Sequence, residues 1–381
     1  MGVSGRFQIS GALFIGFAIG GLAMGGSPAL ADALSDANAL VIADPANIDL
    51  SLDYALIAEG RGEYRLALSA YERVLINDPG NADAKRGLVR VRRILQPPST
   101  HTFLEAGTKW ESNVEHVADG EDYDFLGYGR IQVKDERRVG DTRWRTVGSA
   151  YGEVHSDFDS LNYANISGTI GPIVDLGASM ISMYPAIGGG AAVLHDDFYY
   201  VDVNASATFE GYLEGAHQWA RVRAGYRQYE ESLTADSGFY ADASARLAKS
   251  GVIVENDQVS ISPSIRWSGI DGTFNDGVED YSPGKYLFGG VRLAYFVALN
   301  ELLTVGGSLS VDDRYFFDDT APNGDERQDV TVKPGVTVMF NDIFGVQTGL
   351  RFNYTYEYND SNDPDHDYDN HILGMAITAR R

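Results

Sequence analysis

Seven histidines, 54 carboxylates and 30 lysines and arginines hold whatever chemistry this chain of 381 residues can perform, and it has no cysteine. His101, His116, His155, His195, His217, His366 and His371 are scattered. None stands in a nucleophile elbow, a His-Glu-x-x-His helix or another spacing that joins a nucleophile, a base and an orienting group. They read as exposed or interfacial side chains, and the chain as a non-enzyme with no catalytic residue. Asp360, Asp363, Asp365, Asp367 and Asp369 crowd into one segment and carry the oxygen ligands that calcium or magnesium takes. The segment lacks the glycine and terminal glutamate of a helix-loop-helix calcium site, so no metal and no other cofactor is expected. These carboxylates read as solvated, or as sharing divalent ions with anionic lipopolysaccharide.

Two sets of basic residues have informative spacing. Arg86, Arg90 and Arg93 fall on one side of a helical pattern, opposite Leu88, Val91 and Leu95. With Tyr54, Tyr64 and Tyr71 they form a candidate face for a periplasmic client protein. Arg145, Arg221, Arg223, Arg227, Arg266, Arg292 and Arg351 instead occupy the polar alternate positions of strand patterns, as do Glu105, Lys109, Glu153, Asp202, Asp242 and Asp329. Inside a barrel such mixed charges read as cross-strand pairs, or as the lining of a translocation path.

A net charge of −24 argues against a nucleic-acid partner, which would need a basic face. The charge is uneven: residues 1–100 carry 9 basic and 10 acidic side chains, the remaining 281 carry 21 and 44. The missing cysteine excludes a disulfide framework, thiolate metal centres and a lipid-modified amino terminus.

Residues 1–31 read as a signal peptide: Arg6 supplies the positive charge, Gly11 to Met24 the apolar stretch, and Ala29-Leu30-Ala31 the small-x-small cleavage site. Residues 32–96 are expected to be a helical periplasmic domain, with the helical pattern running from Asn47 to Leu95. Tyr54-Ala55, Gly62-Glu63-Tyr64, Ala67-Leu68, Ala70-Tyr71, Leu75 and Asp78-Pro79-Gly80-Asn81 resemble a tetratricopeptide repeat. Gly62 suits the turn, Ala67 and Ala70 allow close helix contact, and Pro79 ends the second helix. Gln96-Pro97-Pro98-Ser99 is the linker.

From residue 101 to 381 the apolar period falls to two. Tyr199 to Phe209 is the clearest segment. About fourteen such segments predict a mainly β protein, an antiparallel transmembrane barrel in an outer membrane, acting as a monomer. Predicted spans include 124–134, 160–170, 175–185, 302–312, 343–357 and 370–380. Tight turns at Gly171-Pro172, Leu213-Glu214-Gly215, Leu299-Asn300-Glu301 and Asn341-Asp342 are expected to alternate with longer loops near 114–123, 186–196, 269–284, 313–327 and 358–369. Trp110, Tyr199, Tyr226, Phe239 and Trp267 would form one aromatic girdle, and Phe209, Tyr295, Phe340 and Phe344 the other.

The signal peptide, the short repeat domain ahead of Pro97-Pro98, and a barrel opening with Trp110-Glu111-Ser112-Asn113-Val114 together resemble the surface lipoprotein assembly modifier family. That resemblance implies lipoprotein movement to the cell surface, with the periplasmic repeats receiving the client. Exopolysaccharide-secretion porins join the same two parts, which leaves polysaccharide export or a general porin as alternatives.

Overall fold

The computed structural model describes residues 28–118, 122–140, 142–176, 181–195, 197–213, 215–230, 237–270, 284–345 and 347–381. The signal-peptide features of residues 1–27 lie outside them. The chain divides into two compact units, Met1–Val91 and Arg92–Arg381.

The first unit is helical. Helix α1 spans Pro28–Ala43, beginning across the expected cleavage site Ala29-Leu30-Ala31 and continuing into the expected helical domain ahead of the pattern read from Asn47, and α2 covers Ile48–Gly60, α3 Tyr64–Asn77 and α4 Ala82–Leu95. Asn47 caps α2 by accepting from the Leu50 N–H at 3.2 Å, and Asn81 serves α4 through the Ala84 N–H at 2.9 Å. Between α2 and α3 the chain turns at Gly62, whose φ of +76° a side chain would strain. Ala55, Ala58, Ala67 and Ala70 are buried where the helices approach each other, around the ring of Tyr71. A Cβ at Gly87 on α4 would lie 2.2 Å from that ring, so the missing side chain is what seats it.

The second unit is a closed barrel of fourteen antiparallel strands in sequence order. They are β1 (Ser99–Glu111), β2 (Asp124–Val139), β3 (Thr142–His155), β4 (Tyr163–Asp175), β5 (Ile181–Leu194), β6 (Asp197–Leu213) and β7 (Ala216–Tyr229). The series continues with β8 (Gly238–Ser250), β9 (Asp257–Ile270), β10 (Gly284–Ala298), β11 (Leu303–Thr320), β12 (Glu326–Asn341), β13 (Thr348–Ser361) and β14 (Tyr368–Arg380). β14 pairs with β1 from Phe103↔Arg380 to Glu111↔Ile372, so no edge is left open. No described helix is long and apolar enough to cross a membrane.

Period-two alternation puts apolar side chains outside and polar ones inside. Ile166, Ile187, Val203, Val222, Ile265 and Val336 are exposed on the outer wall, Ile187 to 69 %. The neighbouring residues Asn165, Ser167, Asn204, Ser206, Arg221 and Thr337 line interior cavities. This is the reverse of a water-soluble fold, whose apolar faces turn inward.

Several boundaries differ from expectation. Gly171-Pro172 is no turn: β4 runs through it, with Gly171 opposite Arg145 and Pro172 opposite Trp144. A Cβ at Gly171 would lie 1.8 Å from the Pro185 carbonyl oxygen, so this glycine serves close strand approach. The ladder between β4 and β5 is interrupted there, from Ile170↔Ile187 to Val174↔Met183, where Pro172 and Pro185 lack N–H donors. The loop expected at 186–196 is largely strand β5. Strands β11 and β13 likewise extend into the loops expected at 313–327 and 358–369, leaving connections at 321–325 and 362–367. Most of the 269–284 loop lies outside the described residues.

Tyr199 is not on the outer wall. Ala192 pairs with Tyr200 and Val193 with Phe198, so Tyr199 is the extra residue of a β-bulge. Its ring is buried against Tyr200 and Tyr229, with centroids 5.4 and 5.2 Å away, while Phe198 takes the exposed position. The remaining aromatics of that rim behave as expected; Tyr226 packs on Phe239 at 5.0 Å and Trp267 is exposed.

Candidate functional site

The interior of the barrel holds the largest concentration of charged side chains facing open space. One cavity, of about 690 Å³, lies among Glu105, Arg130, Glu153, Arg292 and Arg351. A second, of about 490 Å³, lies along β4 to β7 and shares Ser149 and Asn165 with the first. A third, of about 480 Å³, opens between Ser99, His101 and Arg143 and shares Lys134 and Arg145 with the second. The three therefore adjoin along the barrel, and the shared walls are charged or small and polar.

Strand parity places every barrel arginine named above on the inner face, but in different states. Arg145 on β3 donates to Glu210 on β6 through both Nη atoms, each at 2.9 Å, and through Nε to Glu136 on β2 at 2.9 Å. Arg223 holds Asp242 on β8 at 2.7 Å, and Arg351 reaches Glu105 on β1 at 3.0 Å. These are the neutralising pairs that mixed charges implied. Arg292 donates to Ser308 at 3.2 Å, and Arg266 stands opposite Asp242 in register.

Arg221 and Arg227 are different. Arg221 approaches Asp242 only to 3.9 Å, Arg227 approaches Asp202 only to 3.9 Å, and the Nε of each is buried without a hydrogen-bond partner. Asp202 Oδ2 and Asn204 Oδ1 are unsatisfied as well. Arg221 lies 5.6 Å from the Trp219 ring, and Arg227 sits 4.1 Å over Tyr200. Trp219, Tyr200, Glu210 and Lys134 were not singled out from sequence. Parity alone reaches them, since Trp219 shares the inner face with Arg221, and Glu210 with Asp202.

The helical residues fare differently. Tyr71 and Tyr54 are buried in the helical core and present no ring to a client. Arg90 is turned inward: its Nη2 donates to Glu59 Oε2 at 2.6 Å, while the Tyr71 hydroxyl donates to the same oxygen at 2.8 Å. Burial pushes the Glu59 carboxyl up, but the hydrogen bonds from Arg90 and Tyr71 and the charge of Arg90 outweigh it, so its pKa falls below the usual value. The same contact with Glu59 raises the pKa of Arg90. Tyr64 is half-buried, Arg86 is exposed and paired with Asp83, and the Arg93 side chain lies outside the described residues.

Among the described residues, His371 contacts the Tyr354 hydroxyl at 2.8 Å and stands 3.9 Å from Asp369. His155 contacts Asp124 at 2.7 Å, but Ser156 donates to Asp124 at 2.6 Å instead of facing the imidazole. Among the described residues no three carboxylate or imidazole side chains converge to hold a metal. Within the acidic segment, Asp367 accepts the Ser361 N–H at 2.6 Å and Asp363 accepts that of Asp365 at 3.2 Å.

Fold and lining together define a class: a large closed antiparallel barrel, apolar outside and charged within. No protein-family model matches the chain, and no curated protein matches it in sequence. Solved structures that resemble it include OccAB4 of Acinetobacter baumannii, 8 % identical over 75 % of this chain and 98 % of that one, with a TM-score of 0.36. OpdK of Pseudomonas aeruginosa, solved with vanillate, is 8 % identical over 74 % and 99 %, with a TM-score of 0.36. OmpT of Vibrio cholerae, an outer membrane protein in trimer form, is 7 % identical over 75 % and 100 %, with a TM-score of 0.38. Similarity at this level bears on neither substrate nor partner.

Proposed function

We propose that the chain is a non-enzymatic outer-membrane channel through which small hydrophilic solutes pass. The observation that carries this is the row of adjoining interior cavities inside a wall whose outer face is apolar. An apolar outer wall is stable only against lipid, and a barrel spans lipid because closure satisfies every backbone group. Charges such as Arg145 and Glu210 retain their worth inside because they face water and one another. The full chain, reconstituted into liposomes, should let a neutral pentose enter and swell them; folded protein that leaves them impermeable would contradict the channel.

Movement of lipoproteins to the cell surface is the second reading, with residues 48–95 as a periplasmic docking foot. A specific observation favours it: Leu56, Leu66 and Ile76 stand exposed on the helical unit, Ile76 to 79 %. Single exposed apolar residues are ordinary, but several on so small a unit suit a client. Removing residues 48–95 while the barrel still assembles should then deplete protease-accessible surface lipoproteins; unchanged lipoproteins with unchanged solute uptake would leave the channel alone. Loss of secreted polysaccharide would instead favour an exporter.

A further inference from the structure

Within the channel reading, we propose that the chamber along β4 to β7 is a binding site for small oxyanions, sugar acids or sugar phosphates, and that it makes the barrel anion-preferring although the chain as a whole is acidic. The proposal rests on that reading for transport but not for binding.

The charge balance of the chamber opposes that of the chain. Lys134, Arg145, Arg221, Arg223 and Arg227 line it, against Asp202 and Glu210. Nearby carboxylates do not restore neutrality, because each is shared. Glu136 serves Arg145 at 2.9 Å, Lys134 at 3.7 Å and also Arg143; Asp242 serves Arg223 at 2.7 Å and Arg221 at 3.9 Å. Positive charge is left over on Arg221, which shares Asp242 with Arg223, while Arg227 stands 3.9 Å from Asp202 and donates to the Tyr229 hydroxyl at 3.2 Å; the Nε of each arginine is buried without a hydrogen bond.

A buried donor without an acceptor costs about 1–3 kcal/mol, more when charged, so such atoms collect where a ligand supplies the missing acceptor. A carboxylate or phosphate is that acceptor, and guanidinium groups match its geometry with paired N–H bonds. The unsatisfied Asp202 Oδ2 and Asn204 Oδ1 add two acceptors, which sugar hydroxyls would fill. Trp219 lines the chamber beside them, and the Tyr200 ring is covered by Arg227. Beside them in the same wall, Ser167 on β4 and Gly190 on β5, which is in register with Asp202, are too small to fill the space, and the basic wall borders a cavity of about 490 Å³.

The full chain in planar bilayers, under a potassium chloride gradient, should show a reversal potential of the sign for chloride preference; a potassium preference would overturn the selectivity. In liposome swelling, galacturonate and glucose 6-phosphate should enter about tenfold faster than galactose, the low end of what a charged cleft gives. Arg221→Gln with Arg227→Gln should bring the ratio of anion entry to galactose entry down to about one. Heat-modifiable migration on gels checks that the variant is folded. Faster entry of one anion alone would assign the chamber to carboxylates or to phosphates; no anion advantage in the unaltered chain would overturn the proposal. Binding is read separately by tryptophan fluorescence of the detergent-solubilised full chain titrated with each anion. A response without conductance contradicts the channel but keeps the site, and no response to either anion rejects the site itself.

Discussion

Asn370 on β14 closes the barrel onto Asn113, its Oδ1 accepting the backbone N–H of Asn113 at 3.1 Å and that of Ser112 at 3.0 Å. Its Nδ2 donates to Glu111 Oε2 at 3.2 Å, and Asn113 Nδ2 returns to the Asp369 carbonyl at 3.3 Å. The Trp110-Glu111-Ser112-Asn113-Val114 segment is thus part of the seam where the first and last strands meet. Its polar residues are placed by barrel closure.

Replacing Asn370 with Ala strands the main-chain donor of Asn113 at that seam, while Ser112 keeps the His371 carbonyl at 3.1 Å. Loss of about 1–3 kcal/mol is expected. Urea unfolding followed by heat-modifiable gel migration should show a lowered midpoint, and Asn370→Asp should lower it too, because it keeps the acceptor oxygen but sets a second carboxylate against Glu111.

The outer and inner faces should respond oppositely to charge. Val203→Arg places a guanidinium on the apolar wall at a cost of about 2–4 kcal/mol near the middle of a bilayer, and less toward its edges. Ser206→Arg, three residues along β6, points into the chamber. The first should reduce assembled barrel in membranes and the second should not, as measured by the fraction of folded protein extracted.

Gly87→Ala sets a methyl carbon against the Tyr71 ring, a clash worth about 1–3 kcal/mol. Hydrogen exchange should quicken across residues 48–95 while the barrel strands keep their protection.

Acid should loosen the same helices. The Glu59 carboxyl has its pKa depressed below 4.5 in the folded unit, so it adds stability above that value and loses it as the pH falls through its lowered pKa. Protection factors in α2 to α4, taken against the intrinsic exchange rate at each pH, should therefore fall on going from pH 5 to pH 3, and the fall should be smaller in Glu59→Gln.

What the sequence made legible was periodic. Alternation over many residues marks a strand and its faces without any knowledge of partners, which is why fourteen strands and all seven inward arginines could be read. Features fixed by a distant partner could not. Arg90 looked like part of a basic face because Glu59, which turns it inward, lies 31 residues away. Tyr199 kept the alternation on paper, but one extra residue relative to β5 reversed its side. Gly171-Pro172 carried turn chemistry, yet Pro185 on the next strand converted it into a close crossing. Within the chamber, parity revealed which side chains meet, and only coordinates revealed which donors remain unused.

The central claim is that the barrel conducts. Purified full-length chain added to a planar lipid bilayer under a potassium chloride gradient should produce stepwise, ohmic current increments, and Arg145→Ala, which removes the guanidinium from Glu210 while Glu136 keeps Arg143 and Lys134, should shift their reversal potential toward potassium. A correctly folded barrel that inserts and stays electrically silent, in the unaltered chain and in this variant alike, would contradict the account.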